Sequence, residues 1–191
     1  AGYQFSSANS INIGRLVPQI VYYVYAYSRL VGQGKVEAGD KINVVVPTGN
    51  FGNILAAYYA KQMGIPINKF VCASNKNKVL TDFFNTGVYD INREFYLTNS
   101  PSMDILISSN LERLLYHLSG NDGEEISRLM TALEQEKKYE VSDKIREGLK
   151  DFYGGFATVE DTNETIGKMM GYTGIEHYYY GPHLHEYLHE I

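Results

Sequence analysis

The 191-residue chain holds a single cysteine, Cys72, which rules out an internal disulfide and suits a reducing compartment, hence a cytoplasmic location. No apolar run approaches the ~20 residues that a membrane-spanning helix needs. Nor is there a block of Lys and Arg interleaved with aromatics, and the formal net charge of −5 argues against a nucleic-acid partner. A signal-peptide pattern is also missing. The chain opens Ala1-Gly2-Tyr3-Gln4 without an initiator Met, as expected of a processed end or, more in keeping with the rest, of a piece of a longer protein. What remains is 44% apolar and 20% charged, the composition of a globular domain with a real core.

Periodicity organises the chain. Over residues 10–30 apolar side chains recur every three or four positions (Ile11, Ile13, Leu16, Val17, Ile20, Val21, Val24). This predicts a long, largely buried helix with Asn9 or Ser10 as its N-cap. Pro18 removes one backbone donor inside it and predicts a bend, and Gly32 and Gly34 end it. Residues 42–46 are β-branched and nearly all apolar, as in an interior parallel strand. A helix from Asn53 to Gly64, a strand over residues 70–73 and a short helix over residues 78–85 follow. Strand, helix, strand at this spacing is a βαβ unit with parallel pairing and a right-handed crossover.

Beyond Asp104 the pattern is helical, over residues 105–118, 124–137 and 141–149. The break at Ser119-Gly120-Asn121-Asp122-Gly123 divides an α/β part, residues 1–118, from a mainly helical part of the same domain, residues 119–191. The Tyr- and His-rich tail from Ile175 carries no periodic signal.

One stretch carries chemistry. Strand residues 42–46 run into Pro47-Thr48-Gly49-Asn50-Phe51-Gly52-Asn53, and a helix follows at once. Glycines at 49 and 52 let an anion approach the main chain, and the helix start supplies N–H groups and positive potential. Asn50 and Asn53 add side-chain donors, and Asn53 can also cap the helix. The loop lacks the Gly-Lys-Ser/Thr ending of a P-loop and the third glycine of a dinucleotide fingerprint. By itself the pattern serves an anion site or a plain turn equally well.

The neighbouring words are more specific. Ser7-Ala8-Asn9-Ser10-Ile11-Asn12-Ile13-Gly14-Arg15-Leu16-Val17-Pro18-Gln19, followed by Pro47 to Asn53, resembles threonine synthase, the bacterial and fungal branch in particular. The likeness continues through Ala60-Lys61-Gln62-Met63-Gly64-Ile65-Pro66-Ile67, Ala73-Ser74-Asn75-Lys76-Asn77, Ser100-Pro101-Ser102-Met103-Asp104-Ile105 and Ser109-Asn110-Leu111-Glu112-Arg113. More loosely it reaches Asp161-Thr162-Asn163-Glu164-Thr165-Ile166.

That resemblance implies the fold of the tryptophan-synthase-β group, fold type II pyridoxal-phosphate enzymes: a parallel sheet flanked by helices, here with a helical C-terminal part. It implies conversion of O-phosphohomoserine and water to threonine and phosphate, with pyridoxal phosphate as electron sink. Gly49, Asn50, Phe51, Gly52 and Asn53 then match the loop that holds the cofactor phosphate. Asn9, Ser10, Asn12 and Arg15 lie at the substrate end of a helix. Arg15 suits a substrate phosphate or carboxylate, and equally a structural ion pair.

The resemblance also marks what is missing. Nothing here matches the family's Ser-Phe-Lys-Asp-type word with the Schiff-base lysine, and Lys69 enters a strand on the wrong side of the loop. The expectation is an internal fragment with no catalytic residue of its own, inactive alone and partnered by the remainder of its parent enzyme. Two other classes stand beside it. One is a non-catalytic α/β anion-binding module. The other is a zinc site at His185-Glu186-Tyr187-Leu188-His189, formally H-E-x-x-H, although Gly181-Pro182 and the chain end crowd that helix and no metal site is expected. Tyr22, Tyr23, Tyr25 and Tyr27 fit packing better than cofactor stacking.

Overall fold

The computed structural model describes Gly2 and residues 9–161. The H-E-x-x-H segment and the Tyr/His-rich tail lie outside the described residues.

The first helical region is three pieces rather than one. Helix α1 (Ile13–Leu16) passes through a 3-10 turn (Val17–Gln19) into α2 (Ile20–Gly32). The 3-10 turn falls at Pro18, where the missing N–H predicts a break. The N-cap is Asn12, not Asn9 or Ser10. Asn12 Oδ1 accepts from Gly14 N at 2.8 Å, while Asn9 Oδ1 accepts from Ile11 N in a turn of its own. Nor is this region largely buried. Leu16 and Tyr27 are its buried apolar side chains, whereas Val17, Val21, Tyr22 and Tyr25 are exposed.

Strand β1 (Ile42–Pro47), helix α3 (Gly52–Gln62) and strand β2 (Ile67–Ser74) form the expected βαβ unit, with β1 and β2 parallel. Gly64, at φ +105°, turns the chain out of α3. Among the described residues β1 is an edge strand, not an interior one, because it pairs with β2 alone. Its β-branched residues satisfy an edge as readily as a centre; composition alone does not distinguish the two.

Helix α4 (Val79–Thr86) and strand β3 (Val88–Asp90) follow, the latter pairing with β4 (Lys138–Glu140) in a small antiparallel sheet. Helices α5 (Leu111–Leu118), α6 (Gly123–Glu136) and α7 (Asp143–Gly148) sit close to their expected positions, with Asp122 capping α6 through Glu125 N. Residues 105–110 are not helical. They run as a loop because their polar groups bond the turn after β1, as described below.

Strand β5 (Phe152–Phe156) pairs in parallel with β2, so the second half of the chain contributes to the first half's sheet. Helical periodicity does not reveal it, since Gly154-Gly155 leaves no alternation to read. The core joins both halves. Phe51, Phe84 and Phe152 pack with ring centroids 5.6–6.3 Å apart, and Phe70 stacks on Phe152 at 4.6 Å.

Candidate functional site

The loop after β1 is shaped by one residue in an unusual conformation. Phe51 has φ 62° and ψ 3°, the left-handed region that non-glycine residues rarely adopt. Its ring is 2% exposed and lodged between Phe84 and Phe152, so aromatic packing holds the backbone there. The reversal at Phe51 opens α3 abruptly. The first bond of the helix runs from Leu55 N to Phe51 O at 3.0 Å, which leaves the N–H groups of Gly52, Asn53 and Ile54 as its open first turn.

Their residues belong to the wall of a cavity of about 160 Å³ lined by Ser10, Arg15, Gln19 and residues 47–54. The structure thus brings Ser10 and Arg15 together with Gly49, Asn50, Phe51, Gly52 and Asn53. Asn9 and Asn12 are not in its wall; both are exposed and bond the turn before α1. Thr48 is buried beside the cavity, and its Oγ1 has no oxygen or nitrogen partner among the described residues. Its neighbour is the Cys72 thiol, whose pKa burial pushes up to about 11 despite bonds with Thr48 and Ser74.

The asparagine side chains play a different part from the one expected of direct donors. Asn50 Nδ2 donates to Ser10 Oγ at 2.6 Å, tying the loop to the turn before α1. Asn53 is not the cap of α3, a place taken by Phe51. Its Nδ2 donates to Gln19 at 2.9 Å and its Oδ1 accepts from the Tyr23 hydroxyl at 2.5 Å. Burial raises the Tyr23 pKa to about 12 and keeps it a neutral donor. The amides of Asn50 and Asn53 are thus engaged within the protein, and Arg15 is the one cationic side chain among the described residues that line the cavity.

Sequence reasoning assigned no role to residues 108–113, although the word Ser109 to Arg113 was conspicuous. Ser108 Oγ donates to Gly49 O at 2.8 Å. Asn110 is fully buried; its Nδ2 donates to Asn50 O at 2.8 Å and to Ser10 O at 2.9 Å. Arg113 donates to Asn110 Oδ1 and, at 2.8 Å, to Ile11 O. One buried amide thus joins the two informative words of the sequence. An expected helix over residues 105–118 hid this, since helical geometry would aim these groups elsewhere.

Asn75 and Asn77 also acquire roles. Both donate to Asp104 Oδ1, at 2.7 and 3.1 Å, and Thr98 adds its N–H and hydroxyl at 2.8 Å each. Desolvation acts to raise the Asp104 pKa, but these hydrogen bonds outweigh it and hold the carboxyl below its ordinary value. With a folded-state pKa below the unfolded one, the unfolded chain takes up the proton first as pH falls. The stabilisation is present above the ordinary carboxylate pKa and is lost as pH drops through the folded value. Asp104→Asn should lower the melting temperature at neutral pH and flatten its fall on acidification; thermal melts from pH 7 to pH 3 measure both.

Lys69 lies on β2 and bonds Asp151 at 2.9 Å, and no lysine lines the cavity among the described residues. Nor does any described helix have the length and apolarity to cross a membrane.

No protein-family model matches the chain. Relatives and solved structures do. It is 48% identical over 178 residues to human "Threonine synthase-like 1", covering 88% of this chain and 24% of that protein. Against threonine synthase of Saccharomyces cerevisiae it is 40% identical over 192 residues, covering 95% of this chain and 37% of the yeast protein. The pyridoxal-phosphate-bound crystal structure of threonine synthase from Brucella melitensis superposes with a TM-score of 0.77 at 37% identity, over 87% of this chain and 36% of that one.

The chain is homologous to threonine synthases. It shares their fold, a parallel sheet flanked by helices, and spans about a quarter to two fifths of the length of these relatives.

Proposed function

We propose that this chain is the cofactor-phosphate and substrate-anchoring part of a pyridoxal-phosphate-dependent lyase. The parent enzyme, cytoplasmic in this reading, converts O-phosphohomoserine and water to threonine and phosphate. The observation that carries the reading is the cavity at the start of α3. There Ser10 and Arg15 from one word meet the Gly49–Asn53 loop from another. The chemistry of the cavity fits the group. First-turn N–H groups without a partner among the described residues, beside two glycines, form a cradle for a phosphate dianion. A Cβ at Gly49 would stand 3.3 Å from Ser102 O, so the loop tolerates little bulk.

When bound, pyridoxal phosphate supplies the electron sink. The residues of this chain anchor and orient. Gly49, Asn50, Phe51, Gly52 and Asn53 hold the cofactor phosphate through main-chain donors. Asn50, Ser10 and Asn110 fix the loop against the turn before α1. Arg15 presents a planar fork that pairs with a substrate phosphate or carboxylate in two parallel bonds, and Asn9, Ser10 and Asn12 shape the approach. The amine that links cofactor to protein comes, in this reading, from parent sequence outside these 191 residues.

Phosphate release from O-phosphohomoserine in the presence of pyridoxal phosphate tests the reading. The intact parent polypeptide should release phosphate and threonine in equal amounts, and the 191-residue chain alone neither. Turnover by the chain alone would overturn the division of labour; an inactive, cofactor-loaded parent would overturn the reaction.

A further inference from the structure

Arg15 lines the cavity from α1, a helix of one turn that ends at the interruption set by Pro18. A single turn is too short to hold its own position, so the backbone that carries Arg15 depends on what it is tied to. It has a tie on either side. Before Arg15, Asn110 Nδ2 bridges Ser10 O and Asn50 O. After it comes Gln19, half-buried in the cavity wall, with both ends of its amide engaged.

Gln19 Nε2 donates to Arg15 O at 2.9 Å, and Gln19 Oε1 accepts from Asn53 Nδ2 at 2.9 Å. Asn53 Oδ1 in turn accepts from the Tyr23 hydroxyl. The direction of this chain of bonds is forced. A main-chain carbonyl only accepts, so Gln19 has to turn its NH2 group towards Arg15. That leaves Gln19 Oε1 facing Asn53, which has to offer its own NH2. Asn53 Oδ1 then remains for the Tyr23 hydroxyl, which burial keeps protonated. Turning over Asn53 alone would set its oxygen against Gln19 Oε1; turning over both amides would set Gln19 Oε1 against Arg15 O. The bonds therefore act as one unit, from α2 through the first turn of α3 to the carbonyl of Arg15.

We infer that Gln19 is a positioning residue for the substrate: it fixes the backbone of Arg15 against the first turn of α3, so that the guanidinium and the phosphate loop meet their ligands in a set geometry. The inference rests on the reading of Arg15 as the partner of a substrate phosphate or carboxylate. Glutamine suits the place because it donates and accepts at once. A carboxylate there would accept from Asn53 but could not donate to Arg15 O, and it would put a negative charge in the wall of an anion site.

A double-mutant cycle tests this, read by calorimetry with inorganic phosphate, the product in that reading, as the probe. The protein is the intact parent saturated with pyridoxal phosphate. Gln19→Met keeps the length and helix preference of the side chain and removes both bonds. It should weaken phosphate binding roughly tenfold. Gln19→Glu, which keeps only the bond from Asn53, should weaken it at least as much. In an Arg15→Gln background, Gln19→Met should cost less than about twofold, because a residue that acts through Arg15 has nothing left to place. Equal losses in the two backgrounds would overturn the inference, since Gln19 would then contribute by itself. So would unchanged affinity in Gln19→Met or Gln19→Glu while Arg15→Gln loses it. Unchanged affinity in Arg15→Gln would instead overturn the role given to Arg15, and the inference with it.

Discussion

Gly52→Val should weaken pyridoxal-phosphate binding by the intact polypeptide at least ~100-fold, or about 2.7 kcal/mol, while leaving the fold nearly unharmed. Gly52 is the first residue of α3 and lines the cavity. A Cβ there would stand 3.4 Å from Asn110 Nδ2 and 3.9 Å from Ser10 O, ordinary contact distances. Alanine is therefore accommodated. The two extra methyls of valine have to press on the Asn110 amide or enter a cavity of about 160 Å³. Either choice harms the site, the first by disturbing the amide that joins Asn50 to Ser10, the second by displacing the phosphate. The helical cost of valine over glycine is small or favourable, since glycine is the poorer helix former by a few tenths of a kcal/mol. Titration followed by cofactor absorbance, beside a urea midpoint, separates the two effects. Unchanged affinity with an unchanged midpoint would show that the phosphate is held elsewhere.

Where the sequence was legible, the physics was local. A glycine-bracketed turn between an apolar strand and a helix is visible as such, because the glycines and the change of period are local, although the pattern by itself suits an anion site and a plain turn equally. The βαβ unit and the Pro18 interruption followed from the same short-range rules. What stayed hidden depended on partners far along the chain. Asn53 offers an amide anywhere, but only the fold places Tyr23 and Gln19 against it. Residues 105–110 have acceptable helical periodicity, yet Ser108 and Asn110 reach the loop some sixty residues earlier, and their bonds to Gly49 and Asn50 hold that segment as loop. Likewise β1 has the composition of an interior strand, and its place at the edge is fixed by what pairs with it.

Strand β5 is the sharpest case, and Gly154→Ala should be the most destabilising glycine-to-alanine change among the described residues. A Cβ at Gly154 would lie 2.4 Å from Thr81 Cα and 2.7 Å from Thr81 O. These are backbone atoms at the buried face of α4, so no side-chain rotation relieves the clash. The helix has to retreat from the sheet, breaking the bonds that Thr81 Oγ1 makes to Ser74 Oγ and Gly155 O, both 2.9 Å. Overpacking of a rigid core costs about 1–3 kcal/mol, and two strained buried hydrogen bonds add roughly 1 kcal/mol each, so a loss of about 3 kcal/mol or more is expected. Gly155→Ala is the internal control. Its Cβ would point to the open face with nothing within 4 Å, and it should shift stability by less than about 0.5 kcal/mol. Urea unfolding of the two variants measures the difference. Equal effects would mean that α4 does not rest on Gly154, and that the glycine pair is there for its backbone alone. The same contrast explains why β5 escaped sequence reading: a strand whose decisive position is the absence of a side chain leaves no hydrophobic alternation to find.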